Sequence, residues 1–252
     1  MLLSMSRRVS PLAGFQVTII GRFWVTTEGD AQHNHNSNPK KMALAVQDQL
    51  IMKWLTVLPW RETNHINCRL GKREDGANLF KEEIQASEAM GKPKWVEDAE
   101  RANPHEKIWQ FFFRPGETKN GNPVHGVVPI QLVPLLEEHL ERFRPVLING
   151  VDPQTLYVNG DGRCFSRTMF RTVVRNLTFR YTERAVNPHL FRDIFAVQWL
   201  RENRMDYLTL SKILWHRDVK TTIRMYAQYF DEADGAVGAA EWLEQRSAKC
   251  SG

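Results

Sequence analysis

The chain has 252 residues, and 42% of them are hydrophobic, which is enough apolar material for one large domain or two small ones. Lysine and arginine number 34 against 29 acidic residues, so the formal charge is +5 and favours a polyanionic partner such as nucleic acid. Three widely separated cysteines predict neither a disulfide framework nor a zinc site, and no apolar run approaches the about 20 residues of a membrane span, so we expect a cytoplasmic protein.

The first 41 residues are interpreted as an N-terminal extension and linker. Residues 15–27 are rich in β-branched and aromatic types, which predicts an extended segment, and a polar run with Asn, Ser and Pro follows. His33 and His35 lie in this polar run, where solvated loop residues are expected, so we predict no metal site there.

A helix is predicted from Met42 to Leu58, because apolar residues recur at helical spacing until Pro59 interrupts them. Arg61 follows this break directly. Residues 71–105 are charged and contain several breakers, and we interpret them as an irregular charged insertion with one short helix.

Residues 108–130 are typical of a β-hairpin. An aromatic run, IWQFFF, precedes a turn with Gly, Asn and Pro, and a second run of β-branched residues follows the turn. Lys119 lies near the predicted tip. The next segment, QLVPLLEEHLERF, places leucines on one helical face and acidic residues opposite, which predicts a helix packed on the core.

A further helix is predicted after residue 166, with Ser166 as its N-terminal cap. On it Arg167, Arg171 and Arg175 repeat every four residues and form a stripe about 12 Å long. A solvated helix face is the ordinary interpretation of such a stripe. No acidic residue follows or precedes these arginines at helical spacing, so our hypothesis is that the stripe contacts DNA phosphates.

The last third of the chain carries the most informative pattern. Two predicted helices and the turn between them read NPHLFRDIFAVQWL and LSKILWHRDVKTTIRMYAQ, and they contain His189, Arg192, His216 and Tyr226 in that order. This pattern resembles the signature of the tyrosine recombinases, the phage-integrase family. The resemblance implies an enzyme that cuts and rejoins DNA through a phosphotyrosine bond.

Residues upstream extend the resemblance. Arg61 resembles the first catalytic arginine of the family, although Asn64 stands where an acidic residue is usual. Lys119 resembles the lysine of the family's hairpin, in a context that includes a following Val-Pro pair.

The downstream motifs match more closely. His189 and Arg192 correspond to the His-x-x-Arg box, with Asp193 where His is common. His216 corresponds to the histidine of the Leu-Gly-His motif, in which Trp215 replaces the Gly.

The nucleophile implied by the resemblance is Tyr226, with Tyr229 as a second candidate. A phosphodiester is a poor electrophile, because its negative charge grows as the transition state forms. Arg61 and Arg192 are implied to stabilise that charge with fixed N–H groups. A free phenol has a pKa of about 10, so the tyrosine needs a proton acceptor or a strongly positive site at neutral pH, and the resemblance implies His189 as the acceptor.

Two further roles are implied by the resemblance. His216 would donate a hydrogen bond to the scissile phosphate, and Lys119 would protonate the leaving 5′ oxygen as a general acid. Neither a metal nor a nucleotide cofactor is expected, because the phosphotyrosine preserves the energy of the broken bond for religation.

The predicted fold is α+β and mainly α-helical, with the tyrosine recombinase catalytic-domain architecture and a small antiparallel β-sheet near Lys119. Residues 42–230 form the predicted catalytic domain, and residues 231–252 form a tail helix. The predicted function is site-specific DNA recombination or integration through a 3′-phosphotyrosyl intermediate. Two alternatives stay open: a relaxing activity like that of type IB topoisomerases, and a catalytically weak DNA-binding remnant of a mobile genetic element.

The expected partner is double-stranded DNA, with self-association into a synaptic tetramer and no membrane partner. Recombinases of this family normally carry a DNA-binding domain ahead of the catalytic one, and few residues precede Arg61 here. An accessory DNA-binding protein is therefore considered as a further partner. A bacterial or phage-encoded protein associated with the nucleoid is expected.

Overall fold

The computed structural model describes residues 38–83, 96–99, 103 and 105–229. The extended segment and linker predicted before residue 38 and the predicted tail helix lie outside the described residues, as does much of the charged insertion. The chain divides into two compact units, which meet in sequence between Arg192 and Asp193. This division falls inside the predicted catalytic domain, and the two units are described separately below.

The first unit begins with helix α1, Pro39–Val57, which confirms the predicted first helix. Asn38 caps it by accepting a hydrogen bond from the backbone N–H of Lys40, and Pro39 suits the first helical turn because its missing N–H would have no partner there. The next helix, α2, spans Glu62–Ile66. Arg61 therefore occupies the N-cap position of a short helix, in extended backbone.

The sheet of the described residues has three antiparallel strands in the order β1, β2, β3: Leu79–Glu83, Lys107–Phe113 and Val124–Val127. Strands β2 and β3 confirm the predicted hairpin, and Lys119 lies in the loop between them. Strand β1 was not predicted, because its sequence, LFKEE, has two apolar residues and then three charged ones. It lies within the segment interpreted as an irregular insertion, and there the sequence interpretation was wrong.

Two helical stretches follow the sheet in the first unit. Helix α3, Val133–Glu138, continues through a π-helical turn, His139–Phe143, into helix α4, Arg144–Leu147. Helix α5, Arg167–Thr182, starts where the sequence predicts it, since the Ser166 hydroxyl accepts from the N–H of Met169. Both α4 and α5 pack on α1. The mainly helical α+β class is thereby confirmed.

Helix α6, Pro188–Glu202, begins in the first unit and continues into the second. The second unit adds helix α7, Tyr207–Ile213, helix α8, Val219–Tyr226, and a closing 3-10 turn, Ala227–Tyr229. Its buried core consists of Ala196, Val197, Leu200, Tyr207, Leu210, Leu214 and Tyr226. Within the described ranges, no helix is both long and apolar enough to cross a membrane.

His65 is enclosed in the aromatic core of the first unit. Its ring lies 5.4 Å from the Trp60 ring and 5.5 Å from the Phe170 ring, centroid to centroid, and the side chain is fully buried. Neither ring nitrogen has a hydrogen-bond partner among the described residues. Burial lowers the pKa of His65 to about 3, so the imidazole is neutral in the folded protein at any ordinary pH.

Acidification is therefore expected to destabilise the protein through His65. Between pH 6.5 and 3 the unfolded chain binds a proton at His65 that the folded chain does not, so stability falls as the pH falls. Urea unfolding at pH 7 and pH 5 should show that His65→Phe loses about 2 kcal/mol less than the unsubstituted protein over this interval. Burial raises the pKa of Asp48 to about 7, which acts in the opposite direction, but both proteins share that contribution. Equal losses would contradict the buried neutral imidazole.

Candidate functional site

A cavity of about 820 Å³ in the first unit brings several predicted site residues together. Arg61 contributes from the start of α2, and Lys119 contributes from the loop between β2 and β3. Arg167, the first residue of α5, lines the same cavity, and so does Arg69, which the sequence analysis did not select. Among the described lining residues, Glu117 supplies the negative charge, so positive charge dominates. Such a cavity is suited to an anion.

Glu117 anchors the loop that carries Lys119. One carboxylate oxygen accepts from the Arg69 guanidinium, and the other accepts from the Asn78 amide at 2.9 Å and from the backbone N–H of Arg114 at 2.8 Å. These bonds join three separate parts of the chain. They restrict the loop two residues before Lys119, so the lysine projects from a fixed base.

Arg192 is 2% exposed and donates a hydrogen bond from its guanidinium to the carbonyl oxygen of Pro59. This bond connects α6 to the segment that leads into Arg61. His189, one turn earlier on α6, has an exposed side chain. The two residues of the His-x-x-Arg box are thus in different environments, the arginine buried and the histidine at the surface.

The arginine stripe on α5 has an acidic partner after all. Glu62 of α2 contacts Arg171 at 2.9 Å and Arg167 at 3.5 Å, measured from carboxylate oxygen to guanidinium Nε. The absence of acidic neighbours holds only along α5 itself, and Glu62 approaches from a different helix. The expectation of an unneutralised stripe was therefore wrong for these two residues. Arg175 is exposed, and the described part of the chain gives it no ion pair.

In the second unit, His216 follows a strained turn after α7. Trp215 adopts φ of 52°, a left-handed conformation that favours glycine. This conformation explains why the family motif that the chain resembles has Gly at this position. The His216 ring Nδ1 lies 2.8 Å from the Thr222 hydroxyl oxygen, and Thr222 is fully buried in α8. This contact orients the imidazole.

Tyr226 ends α8, and its hydroxyl donates to a carboxylate oxygen of Asp193 at 2.9 Å. The tyrosine is 1% exposed within the apolar core of the second unit, whereas Tyr229 is 43% exposed. In the sequence, Asp193 stands out only because His is common at its position in the family. Its partner lies 33 positions away in sequence, so spacing alone could not pair the two.

Comparison with known proteins finds partial similarity to tyrosine recombinases. Segments of 99 residues are 28% identical to the tyrosine recombinase XerD of Staphylococcus saprophyticus and 30% identical to XerD of Lacticaseibacillus casei. These segments of the chain are therefore similar to part of a tyrosine recombinase. Each of these matches covers 38% of this chain and 33% of the XerD protein. The chain therefore matches about a third of the length of these tyrosine recombinases. No protein-family model matches the chain.

Two solved recombinase structures also resemble the chain. The XerA recombinase gives a TM-score of 0.47 at 16% identity, over 86% of this chain and 62% of that one. The XerH recombinase, crystallised with its difH substrate before cleavage, gives 0.48 at 13% identity, over 88% and 52%.

The predicted tyrosine recombinase residues therefore separate into two sets. Arg61, Lys119 and Arg167 share a cavity in the first unit, and Arg192 is bonded to the chain beside Arg61. His216 and Tyr226 lie in the second unit, each held by a hydrogen bond. Their catalytic roles stay predictions.

The hydrogen bond between Tyr226 and Asp193 is expected to stabilise the second unit. Asp193→Ala removes the acceptor of a buried hydroxyl and should lower the free energy of unfolding by about 1–3 kcal/mol. In the Tyr226→Phe background the same substitution should cost less, with a coupling of about 1–2 kcal/mol in a double-mutant cycle by urea unfolding.

Asp206→Ala provides the matched control, because Asp206 caps α7 by accepting from the N–H of Thr209. It should destabilise the unit by about 1 kcal/mol but show no coupling to Tyr226→Phe. Additive effects of Asp193→Ala and Tyr226→Phe would mean that the bond contributes nothing in solution.

Proposed function

We propose that this protein is a site-specific DNA recombinase that cleaves and rejoins DNA strands through a 3′-phosphotyrosyl intermediate. The convergence of Arg61 and Lys119 on one positively charged cavity carries the proposal, because these residues are 58 positions apart and come from different elements. The relationship to XerD tyrosine recombinases supports it.

The cavity is proposed to hold the scissile phosphate. Arg61 would direct its guanidinium to the non-bridging oxygens, where charge increases during the reaction, and would stay charged at any working pH. Arg192 supports this arrangement, because its bond to the Pro59 carbonyl fixes the chain next to Arg61. Preorganised donors of this kind require no reorganisation when the charge develops.

The proposed cleavage step forms one bond and breaks one. The Tyr226 oxygen attacks the phosphorus, its proton passes to an acceptor, and the bond from phosphorus to the 5′ oxygen breaks. Lys119 would donate a proton to that leaving oxygen, which leaves a free 5′ hydroxyl and a 3′-phosphotyrosine. Rejoining is the reverse, with a 5′ hydroxyl as the attacking group.

Tyr226 has to change its surroundings for this step. At 1% exposure its hydroxyl cannot reach a DNA phosphate, so the tyrosine must leave the apolar core and exchange its bond to Asp193 for the phosphate. We propose His189 as the acceptor of the phenolic proton, since its side chain is exposed at the start of α6, and His216 as a donor to the phosphate.

DNA binding outside the cavity is proposed to involve the α5 stripe. Arg175 can contact a phosphate directly, whereas Arg167 and Arg171 would first exchange Glu62 for a phosphate. Assembly of four copies at a synapse, help from an accessory DNA-binding protein and association with the nucleoid stay predictions.

Covalent trapping tests the proposal. The protein is incubated with a library of nicked, end-labelled duplexes and denatured, and label that remains attached to the protein is measured. We expect label on the unsubstituted protein and only background on Tyr226→Phe. Tyr229→Phe is the matched control: it removes an exposed hydroxyl three residues away and should leave the adduct intact.

Each outcome is informative. An adduct lost in Tyr229→Phe and kept in Tyr226→Phe would assign the nucleophile to the second candidate. No adduct in any protein, together with DNA binding that weakens with salt, would contradict the recombinase and favour a DNA-binding remnant.

A further inference from the structure

Asn64 is a buried amide without a hydrogen bond that lines the cavity of Arg61 and Lys119. Its side chain is 3% exposed, and its Nδ2 is fully shielded with no hydrogen-bond partner among the described residues. Most buried amide groups in folded proteins are hydrogen-bonded, because an unmet donor loses its water without replacement. An unmet donor at the wall of a cavity indicates that a ligand supplies the acceptor.

We infer that Asn64 is a phosphate-binding residue, whose side-chain amide donates to an oxygen of the phosphate held between Arg61 and Lys119. The inference rests on the proposed function for the identity of the phosphate as part of DNA. The anion site itself follows from the charges, because four cationic side chains and one carboxylate, Glu117, line the cavity and the unmet group is a donor.

A second amide of the same cavity shows what a structural role looks like. Asn78 is 1% exposed and fully engaged: its Nδ2 donates to the Phe112 carbonyl and to Glu117, and its Oδ1 accepts from the N–H of Arg69. Both asparagines are buried and line the same cavity. They differ in their Nδ2 groups, because only that of Asn78 has hydrogen-bond acceptors among the described residues. Asn78 therefore has a structural role, whereas the Asn64 amide can donate to a ligand.

The position of Asn64 fits this role. It is the third residue of α2 and therefore one turn after Arg61, so both side chains reach the cavity from the same short helix. The amide of Asn64 can donate a hydrogen bond without adding charge, whereas the acidic residue usual at this position in tyrosine recombinases can only accept one when ionised. Asn64 thus favours a ligand that accepts hydrogen bonds, such as phosphate, over a cation or a ligand that carries only hydrogen-bond donors.

The test pairs stability with anion binding. Asn64→Leu keeps the branched shape of the side chain and removes the unmet donor, so its urea midpoint should equal or exceed that of the unsubstituted protein, while its affinity for inorganic phosphate falls about tenfold. Asn64→Asp should bind phosphate more weakly still at pH 7, because it adds a negative charge. Binding is followed by the NMR shifts of arginine Nε–H groups and, in the unsubstituted protein, of the Asn64 amide.

Asn78→Leu is the matched control and should lower the urea midpoint, since it breaks three hydrogen bonds. Phosphate affinity unchanged in Asn64→Leu, a midpoint that falls as it does in Asn78→Leu, or no phosphate binding by the unsubstituted protein would each overturn the inference. Phosphate binding needs no DNA cleavage, so a failed trapping experiment with intact phosphate binding would reject the recombinase and leave Asn64 as an anion ligand.

Discussion

The buried guanidinium of Arg192 bonds to the carbonyl oxygen of Pro59, and the candidate phosphate site depends on this contact. A buried charge is tolerated only where hydrogen bonds replace its water, so the arginine and the chain segment around Pro59 hold each other in place. Proline ends α1, and two residues later Arg61 turns toward the cavity at the start of α2. An arginine on a surface loop would lack this support.

Charge and burial are distributed unevenly over the predicted site. The cavity collects cations from elements that are distant in sequence, and Glu117 fixes the loop of Lys119 by accepting from three other groups. Tyr226 is buried in its own unit with its hydroxyl held by a carboxylate. We therefore propose a preformed phosphate site together with a nucleophile that must be released from its core. Binding energy from DNA is a natural source for that release, because phosphate contacts outside the site do not change during the reaction.

The elements that sequence could predict are those with a strong local signal. The helix α1 has regular apolar spacing and a proline stop, the hairpin has an aromatic run and a turn, and α5 has a serine cap. Strand β1 escaped detection because its stability comes from pairing with β2 rather than from its own residues. The division of the chain inside α6 has no signature in composition.

The site shows the same distinction between local and distant information. Motif order predicts Arg61, Lys119, Arg192 and Tyr226 as site residues, but the pairing of Glu62 with the α5 arginines joins residues more than 100 positions apart. Asn64 was noticed as a departure, and its unmet amide became visible only when burial was known. Partners that come from another element cannot be deduced from periodicity, since periodicity describes one element at a time.

The central claim is that the cations of this cavity neutralise the phosphate that the tyrosine attacks. Replacing duplex phosphates with uncharged methylphosphonates and measuring covalent adduct formation with Arg61→Ala tests it most directly. On ordinary duplex the substitution should slow adduct formation about 10²–10³-fold, because the developing charge loses its partner. On methylphosphonate duplex, whose transition state carries one negative charge fewer, Arg61→Ala should react nearly as fast as the unsubstituted protein. An equal loss on both substrates would contradict the claim and leave Arg61 with a role in folding alone.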